Sequence, residues 1–483
     1  MSSYQLTDSE KCHEECGVFG IYSEERRDVA KSVYYGLYAL QHRGQESCGI
    51  AVNDTLSDEP KTATHRDVGL VGDVFTHKIL DGMPGNMAVG HVRYSTTGSN
   101  SRDNVQPLSI RYVKGTLTIA HNGNISNARE LRRQLEYTGA VWTSSSDTEV
   151  IAYLLARERI QCKSIEEAVL RVAGLLEGAF SLVIMSPQKL IAVRDPRGMR
   201  PLCIGKKNGD ILFSSETCAL DAIGAEFVRD VEPGEIVVAE HGKMYSLYQP
   251  AAKSTALCIF EYIYFARPDS TIDGQSVYQA RLAAGRILAE EHPVDADMVI
   301  GVPDSGNIAA IGYAEQSGIP YGQGLIKNRY IGRTFILPDA KARTESVTIK
   351  LNAYADNVRG KRIIMVDDSI VRGTTITQIV TLLKRAGALE VHVRISAPEF
   401  LHACYYGTDI SDPEKLVSNH YSCEALCEKL GADSLGFIPL NRIHEIAKDA
   451  RLSFCDACFS GKYPCSVPHS AGKSDFETAS HKH

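Results

Sequence analysis

No apolar run in this chain approaches the roughly 20 residues that a membrane-spanning helix needs. No block of like charge interrupts it either: a net charge of −7 is spread over 483 residues. Nucleic-acid and membrane-surface binders need concentrated Lys and Arg, so neither partner is expected. The opening MSSYQLTDSEKCHEE is polar and acidic and lacks the apolar core of a secretory signal. A cytoplasmic location is expected. There are no internal repeats, and a G-x-x-x-x-G-K nucleotide loop is missing, which argues against an NTPase. What remains is ordinary globular material, 43% hydrophobic and 23% charged. Its length suits two to four domains at about 100–200 residues each. Thirteen cysteines, an odd number, in so large a chain point to a reducing compartment with some thiols catalytic or metal-binding. Cys48, Cys162, Cys203, Cys218, Cys423, Cys427 and Cys465 read as small buried hydrophobes.

The pattern changes along the chain. Residues 1–15 carry no periodicity and read as a detachable leader. From Cys16 to about residue 240, short apolar strands (17–22, 49–52, 87–91, 117–121, 181–185, 190–194) alternate with helical patterns near 29–41 and 147–157, a layered α/β arrangement with antiparallel sheets. Residues 239–256 are mixed and mostly polar, and are expected to be a linker. Strands at 298–302, 363–366 and 391–396 then alternate with helices, as in a doubly wound parallel sheet. The end, from 466 to 483, reads as a disordered tail.

Cys16 opens CGVFGIY. A thiol attacks an amide carbonyl only as thiolate, so it needs a base. No histidine suggests itself by position. The α-amine of an N-terminal cysteine, with a pKa near about 8, would serve if the leader were removed. Cys12 is a rival, but no apolar strand follows to pin it. Cys12 and Cys16 do not have the usual two-residue gap of a metal site. Three further motifs stand out. HVRYSTTG places Arg93 among hydroxyls at a strand end. HNGNISN puts Asn122 and Gly123 in a turn after a strand. SSSDTEV caps a helix at Asp147. Each alone has a plain explanation: an exposed arginine, a hairpin turn, a helix cap.

Together with QHRGQES (residues 41–47) and RDPRGMRPL (residues 194–202), these motifs resemble the class II glutamine amidotransferases, which are N-terminal nucleophile hydrolases. The resemblance implies an αββα sandwich over residues 16–240 and a 1–15 propeptide. It makes Cys16 the nucleophile and its α-amine the base. Arg93 would hold the glutamine α-carboxylate and Asp147 its α-ammonium. Asn122 and the N–H of Gly123 would form the oxyanion hole. Cys48 departs from the family, where alanine is common.

In the second half, the apolar run from Ile363 ends in Asp367 and Asp368. It passes through Ser369, Arg372, Gly373, Thr374 and Thr375 into a helix with Ile376, Ile379, Val380 and Leu383 on one face. Free N–H groups at a helix start, with threonine hydroxyls, can hold a phosphate, and paired carboxylates can meet ribose hydroxyls or Mg²⁺. A helix cap with two solvated acids is the plainer alternative. This run resembles the phosphoribosyl pyrophosphate (PRPP) signature of type I phosphoribosyltransferases. VPDSG, with Asp304, Ser305 and Gly306, looks like their pyrophosphate loop. The resemblance puts Ser305, Asp367 and Asp368 at a Mg²⁺–PRPP site and lets Arg372–Thr375 cradle the 5-phosphate. Lys327 through Arg343 and Lys350 would form a lid over PRPP. This half would span 257–465.

Both halves, in this order, resemble the glutamine phosphoribosylpyrophosphate amidotransferases. The resemblance implies that glutamine, PRPP and water give 5-phosphoribosylamine, glutamate and pyrophosphate, the first committed step of de novo purine (IMP) synthesis. Ammonia would pass internally between the sites. Feedback by purine nucleotides and a homo-oligomer, a tetramer, are expected by the same resemblance. Other class II amidotransferases would carry a different second half. A PRPP-sensing regulator would not need Cys16, Arg93 or Asp147.

Cys455 and Cys458 form the only two-residue gap in the chain. By spacing alone, two further thiolates would complete a zinc site or a [4Fe–4S] site equally well. The segments around Cys258 and Cys404 resemble the branch of the family that holds a [4Fe–4S] cluster on Cys258, Cys404, Cys455 and Cys458, with a structural role.

Overall fold

A computed structural model describes residues 16–57, 61–94, 101–328, 351–408, 410 and 412–467. The leader, Arg343, Lys350 and residues 468–483 lie outside these. No helix among the described residues is long and apolar enough to cross a membrane.

The first half stacks two sheets between two helical layers. In the seven-stranded sheet, Gly17–Arg27 lies at the centre between Asp210–Ser214 and Gly85–Arg93, all antiparallel. The six-stranded sheet centres on Gly178–Met185, paired with Gly115–Ile125 on one side and Leu190–Arg194 on the other. One apolar core lies between the sheets, with Val18, Val89, Ala120 and Val183 facing inward. A second core packs the first sheet on the Val29–Ala39 helix, and a third packs the other sheet on helices Ala128–Glu136, Asp147–Gln161 and Ile165–Ala173. Burial on both faces explains why the central strands read as continuous apolar runs. The Val29–Ala39 helix starts where the Asp28 side chain accepts from the N–H of Lys31, and buries Val29, Val33 and Leu37 along one face.

Two local expectations fail here. Asn122 and Gly123 are not a turn. They lie inside the Gly115–Ile125 strand, opposite Ser181 and Phe180. Gly123 has φ +138°, and a Cβ there would stand 2.1 Å from the carbonyl oxygen of Ala179, so only glycine lets the ladder continue. The first part of the expected linker is strand: Glu235–Glu240 and Lys243–Tyr248 form a hairpin that extends the sheet past residue 240. Its polar alternation is that of an edge strand, which misleads a reading based on composition.

The second half has a parallel four-stranded sheet in the order Met298–Gly301, Arg362–Asp367, Glu390–Ile395, Ser434–Phe437. Helices Gly306–Ser317 and Thr374–Arg385 follow the first two strands. The Val277–Glu291 helix packs on Gly306–Ser317 backbone to backbone: a Cβ on Gly285 would stand 1.8 Å from the Ala309 carbonyl oxygen, and one on Gly312 would stand 2.1 Å from that of Leu282.

The halves are joined by buried arginines of the first, whose acceptors include Glu261, Asp273 and the Tyr406 carbonyl of the second. Arg43, at 0% exposure, donates from Nη1 to Glu216 (2.7 Å) and Glu261 (2.9 Å) and from Nη2 to Glu261 (2.8 Å). Arg194 forks onto Asp273 at 3.0 and 2.7 Å. Arg200 donates to the Tyr406 carbonyl at 2.7 Å and lies 3.5 Å from Glu261. Burial opposes ionisation of Glu216, but His42, Arg43 and Ser270 hold its carboxyl well below the usual range.

Gly285→Ala is expected to lower the stability of the second half by about 1–3 kcal/mol through forced separation of the two helices. Gly72→Ala, whose Cβ would meet only Tyr38 at an ordinary 3.5 Å, should be neutral. Denaturant midpoints of the two variants check this.

Candidate active sites in the two halves

Cys16 immediately precedes the central strand of the first sheet and is 5% exposed. Its thiol donates to the Tyr94 carbonyl at 3.5 Å, and its own carbonyl accepts from Arg43 Nε at 3.0 Å. Arg93 ends the neighbouring Gly85–Arg93 strand. It is buried, which pushes its guanidinium pKa down, and it lies within electrostatic reach of Cys16, Glu46 and Asp147. Asp147 begins its helix. Burial works against its charge, but His121 and the N–H groups of Ile125 and Thr148 hold the carboxyl below its ordinary value. Ile125 donates to it at 3.1 Å, which ties the helix start to the end of the strand that carries Asn122.

Asn122 is fully buried, yet neither its amide nitrogen nor its oxygen has a partner among the described residues. Leaving both unmade costs several kcal/mol on the scale of about 1–3 kcal/mol per buried polar group. A ligand carbonyl oxygen accepting from the amide N–H would relieve the nitrogen's share of that cost. His91 is the nearest histidine along the Arg93 strand. Burial pushes its pKa down to about 3, and its Nε2 sits 2.9 Å from the His121 carbonyl, so it is a poor base.

In the second half, Asp367 ends the Arg362–Asp367 strand and Asp368 follows it, both buried. The Ser305 hydroxyl, from the loop before the Gly306–Ser317 helix, donates to one oxygen of Asp368, and Ser369 donates to the other at 2.5 Å. Asp368 makes no ion pair among the described residues. A buried carboxylate set among hydroxyls, with Arg281 acting on it only through space, suits a hard metal such as Mg²⁺. Asp304 meets Lys327 at 2.8 Å. Gly373 caps the next helix in a left-handed conformation, with Thr374 and Thr375 as its first residues. The loop before Gly306 and the 368–375 loop both leave the C-terminal edge of the parallel sheet, where ligands bind in such folds. Arg372 has only Asp412 within electrostatic reach among the described interactions, and Lys350 lies outside the described residues.

Cys258, Cys404, Cys455 and Cys458 come together around one cavity, shared with Met199, Arg200 and Tyr406. Cys258 and Cys455 are register partners in a short parallel pairing, and the N–H of Tyr406 donates to Cys404 Sγ at 3.5 Å. Of the other cysteines, Cys48, Cys162, Cys203 and Cys218 are buried as expected, and burial pushes Cys48 up to about 12. Cys423, Cys427 and Cys465 are only half-buried, which corrects their reading as core residues.

Sequence reasoning missed Arg43, Glu216, Glu261, Arg200 and the Arg194–Asp273 fork. All three of these arginines lie in quoted motifs, but nothing local marks them as buried. It also missed His121 as the partner of Asp147, 3.6 Å away.

Family models agree with this division: a glutamine amidotransferase domain matches residues 91–222 and a phosphoribosyl transferase domain matches 276–416. The chain therefore joins a glutaminase fold of the N-terminal nucleophile type to a phosphoribosyltransferase fold. It is 48% identical to the amidophosphoribosyltransferase of Methanocaldococcus jannaschii, over 94% of this chain and 98% of that protein. It is 45% identical to that of Bacillus subtilis, over 96% of each. The solved structure of glutamine PRPP amidotransferase from B. subtilis, complexed with ADP and GMP, superposes with a TM-score of 0.87 at 44% identity, covering 95% of this chain and 99% of that one. The chain belongs to the amidophosphoribosyltransferase family.

Asn122→Ala is expected to cut glutamine-dependent turnover by about 10²–10³ through loss of an oxyanion donor. Stability should not fall, because among the described residues the amide has no partner to lose and its unmade bonds are relieved, which offsets the lost packing. Steady-state kinetics beside a thermal melt check both halves of this expectation.

Proposed function

We propose that the chain makes 5-phosphoribosylamine from glutamine and PRPP, the first committed step of purine synthesis. The observation that carries this reading is the presence, in one chain, of a buried strand-start thiol and an unpartnered buried amide in the first half, with strand-end carboxylates at a parallel-sheet edge in the second. In the first site, the Cys16 thiolate attacks the glutamine side-chain carbonyl carbon after its α-amine, freed by loss of residues 1–15, takes the thiol proton. Asn122 and the Gly123 N–H meet the oxyanion, while Arg93 and Asp147 hold the amino-acid end. The C–N bond breaks, ammonia leaves with that proton, and water releases glutamate from the thioester.

In the second site, ammonia forms a bond to C1 of PRPP as the C1–O bond to pyrophosphate breaks. Ser305, Asp367 and Asp368 would hold Mg²⁺, which neutralises pyrophosphate charge. Asp304, Gly306 and Lys327 would face the pyrophosphate, with Ser369 and the Arg372–Thr375 loop at the 5-phosphate and Lys350 on the lid. Ammonia protonates readily in water, so an internal passage protects its lone pair. The divisions 1–15, 16–240 with its strand to Tyr248, 257–465 and the 466–483 tail follow from these roles. The B. subtilis structure holds ADP and GMP. Purine nucleotides are the proposed feedback ligands here, a homotetramer the proposed assembly and the cytoplasm the proposed location.

Four thiols around one cavity fit a [4Fe–4S] cluster. Among the described residues, no group of three or more His, Cys, Asp or Glu is arranged to hold a metal ion. The cluster would pin the 257–258 strand, the 404 loop and the 455–458 turn together.

Cys16→Ala should abolish turnover with glutamine and leave turnover with ammonium and PRPP. Loss of both would count against two separate sites, and no phosphoribosylamine from the parent protein with either nitrogen source would refute the function.

Anaerobically purified protein is expected to contain about four irons and four sulfides per chain. Stoichiometric zinc without sulfide would overturn the cluster, and an unchanged melting temperature in Cys455→Ser would overturn its structural role.

A further inference from the structure

Segment Glu261–Phe265 is a single turn of π-helix lying between the halves, closed by the Ala266 N–H on the Glu261 carbonyl at 3.0 Å. At its start, Glu261 receives Arg43, and Arg43 Nε holds the Cys16 carbonyl. The end of such a turn leaves carbonyls without intrahelical donors. Three of them, on Tyr262, Tyr264 and Ala266, accept from one side chain: Arg281 donates from Nε at 3.1 Å and from Nη2 at 2.8 Å twice. Arg281 is 5% exposed and bonds no carboxylate among the described residues. Asp368 and Glu216 act on it only through space.

Arg281 stands on the Val277–Glu291 helix, one residue before Leu282, whose carbonyl takes the close approach of Gly312. That contact fixes the helix against Gly306–Ser317, whose start is the loop of Ser305. The buried guanidinium is thus the point at which the frame of the PRPP loop grips the turn that positions the nucleophile.

Resting on the two-site reading above, we propose that Arg281 is a positioning residue for glutamine use: it sets the Glu261–Phe265 turn, and through Glu261 and Arg43 the Cys16 backbone, relative to the PRPP loop. A small displacement of a nucleophile costs turnover steeply while leaving a separate site intact. Lysine keeps the charge but lacks the flat fork that spans three carbonyls.

The test compares the parent protein with Arg281→Lys and Arg281→Met, assaying phosphoribosylamine formation with glutamine and with ammonium, beside thermal melts. The expected result is a fall of about tenfold or more in the glutamine-to-ammonium ratio for Arg281→Met, carried by kcat rather than by KM for glutamine. Arg281→Lys should lie between. If Arg281→Met does not fold, Arg281→Lys decides. Parallel loss of both activities, or an unchanged ratio in folded variants, would overturn the role of Arg281 and leave the two-site reading standing. A parent protein inactive with both nitrogen sources would overturn that reading and this proposal with it.

Discussion

Glu261 is one carboxylate shared by two arginines that solvent hardly reaches, Arg43 and Arg200. Removing such charges from water costs several kcal/mol each, and the cost is offset only when nearly every donor finds an acceptor. The chain meets that demand by recruiting acceptors from distant segments. Arg43 takes Glu216, Glu261 and the Cys16 carbonyl, while Arg200 takes the Tyr406 carbonyl beside Cys404. One buried charge balance therefore fixes the start of the central strand, the turn between the halves and the loop that faces the four-cysteine cavity. Sliding one half on the other would strand guanidinium groups in an apolar joint. The Arg194–Asp273 fork adds a second such constraint nearby.

The strand and helix patterns were legible because both sheets are covered on their faces. Continuous apolar runs such as 181–185 and helical spacing such as Ile376, Ile379, Val380 and Leu383 are what burial on those elements requires. Local rules failed where tertiary pairing overrode them. Asn-Gly favours a turn, yet eight ladder pairs with Gly178–Met185 carry the strand straight through Asn122 and Gly123. Residues 243–248 look like linker because an edge strand needs only one apolar face. The acids Asp367 and Asp368 were readable as a site because a strand that ends in two carboxylates before a Gly-Thr helix start has few other uses.

The joint was not legible. Arg43 and Glu261 are 218 residues apart, and by composition each belongs on a surface. Burial of a charge becomes visible only once its partner is placed. The same holds for His121, whose relation to Asp147 depends on the register that brings a helix start to a strand end. Cys258 and Cys404 were identified by family likeness; spacing alone pointed only to Cys455 and Cys458. The cavity that gathers all four forms where the second half meets Met199 and Arg200 of the first.

The two candidate sites are complementary in what they leave unmet. The first keeps a buried amide, Asn122, with donors unspent, as suits developing negative charge on a substrate oxygen. The second keeps a buried carboxylate, Asp368, bonded by two hydroxyls and with no direct ion pair among the described residues, as suits a metal-bound pyrophosphate. Each deficit costs stability in the free protein and is recovered only when its own substrate arrives, so binding and stability rise together. A neutral nitrogen released at the first site gains nothing from either deficit. What holds the two sites in a fixed relation is the joint, where Glu261 is shared by Arg43 and Arg200.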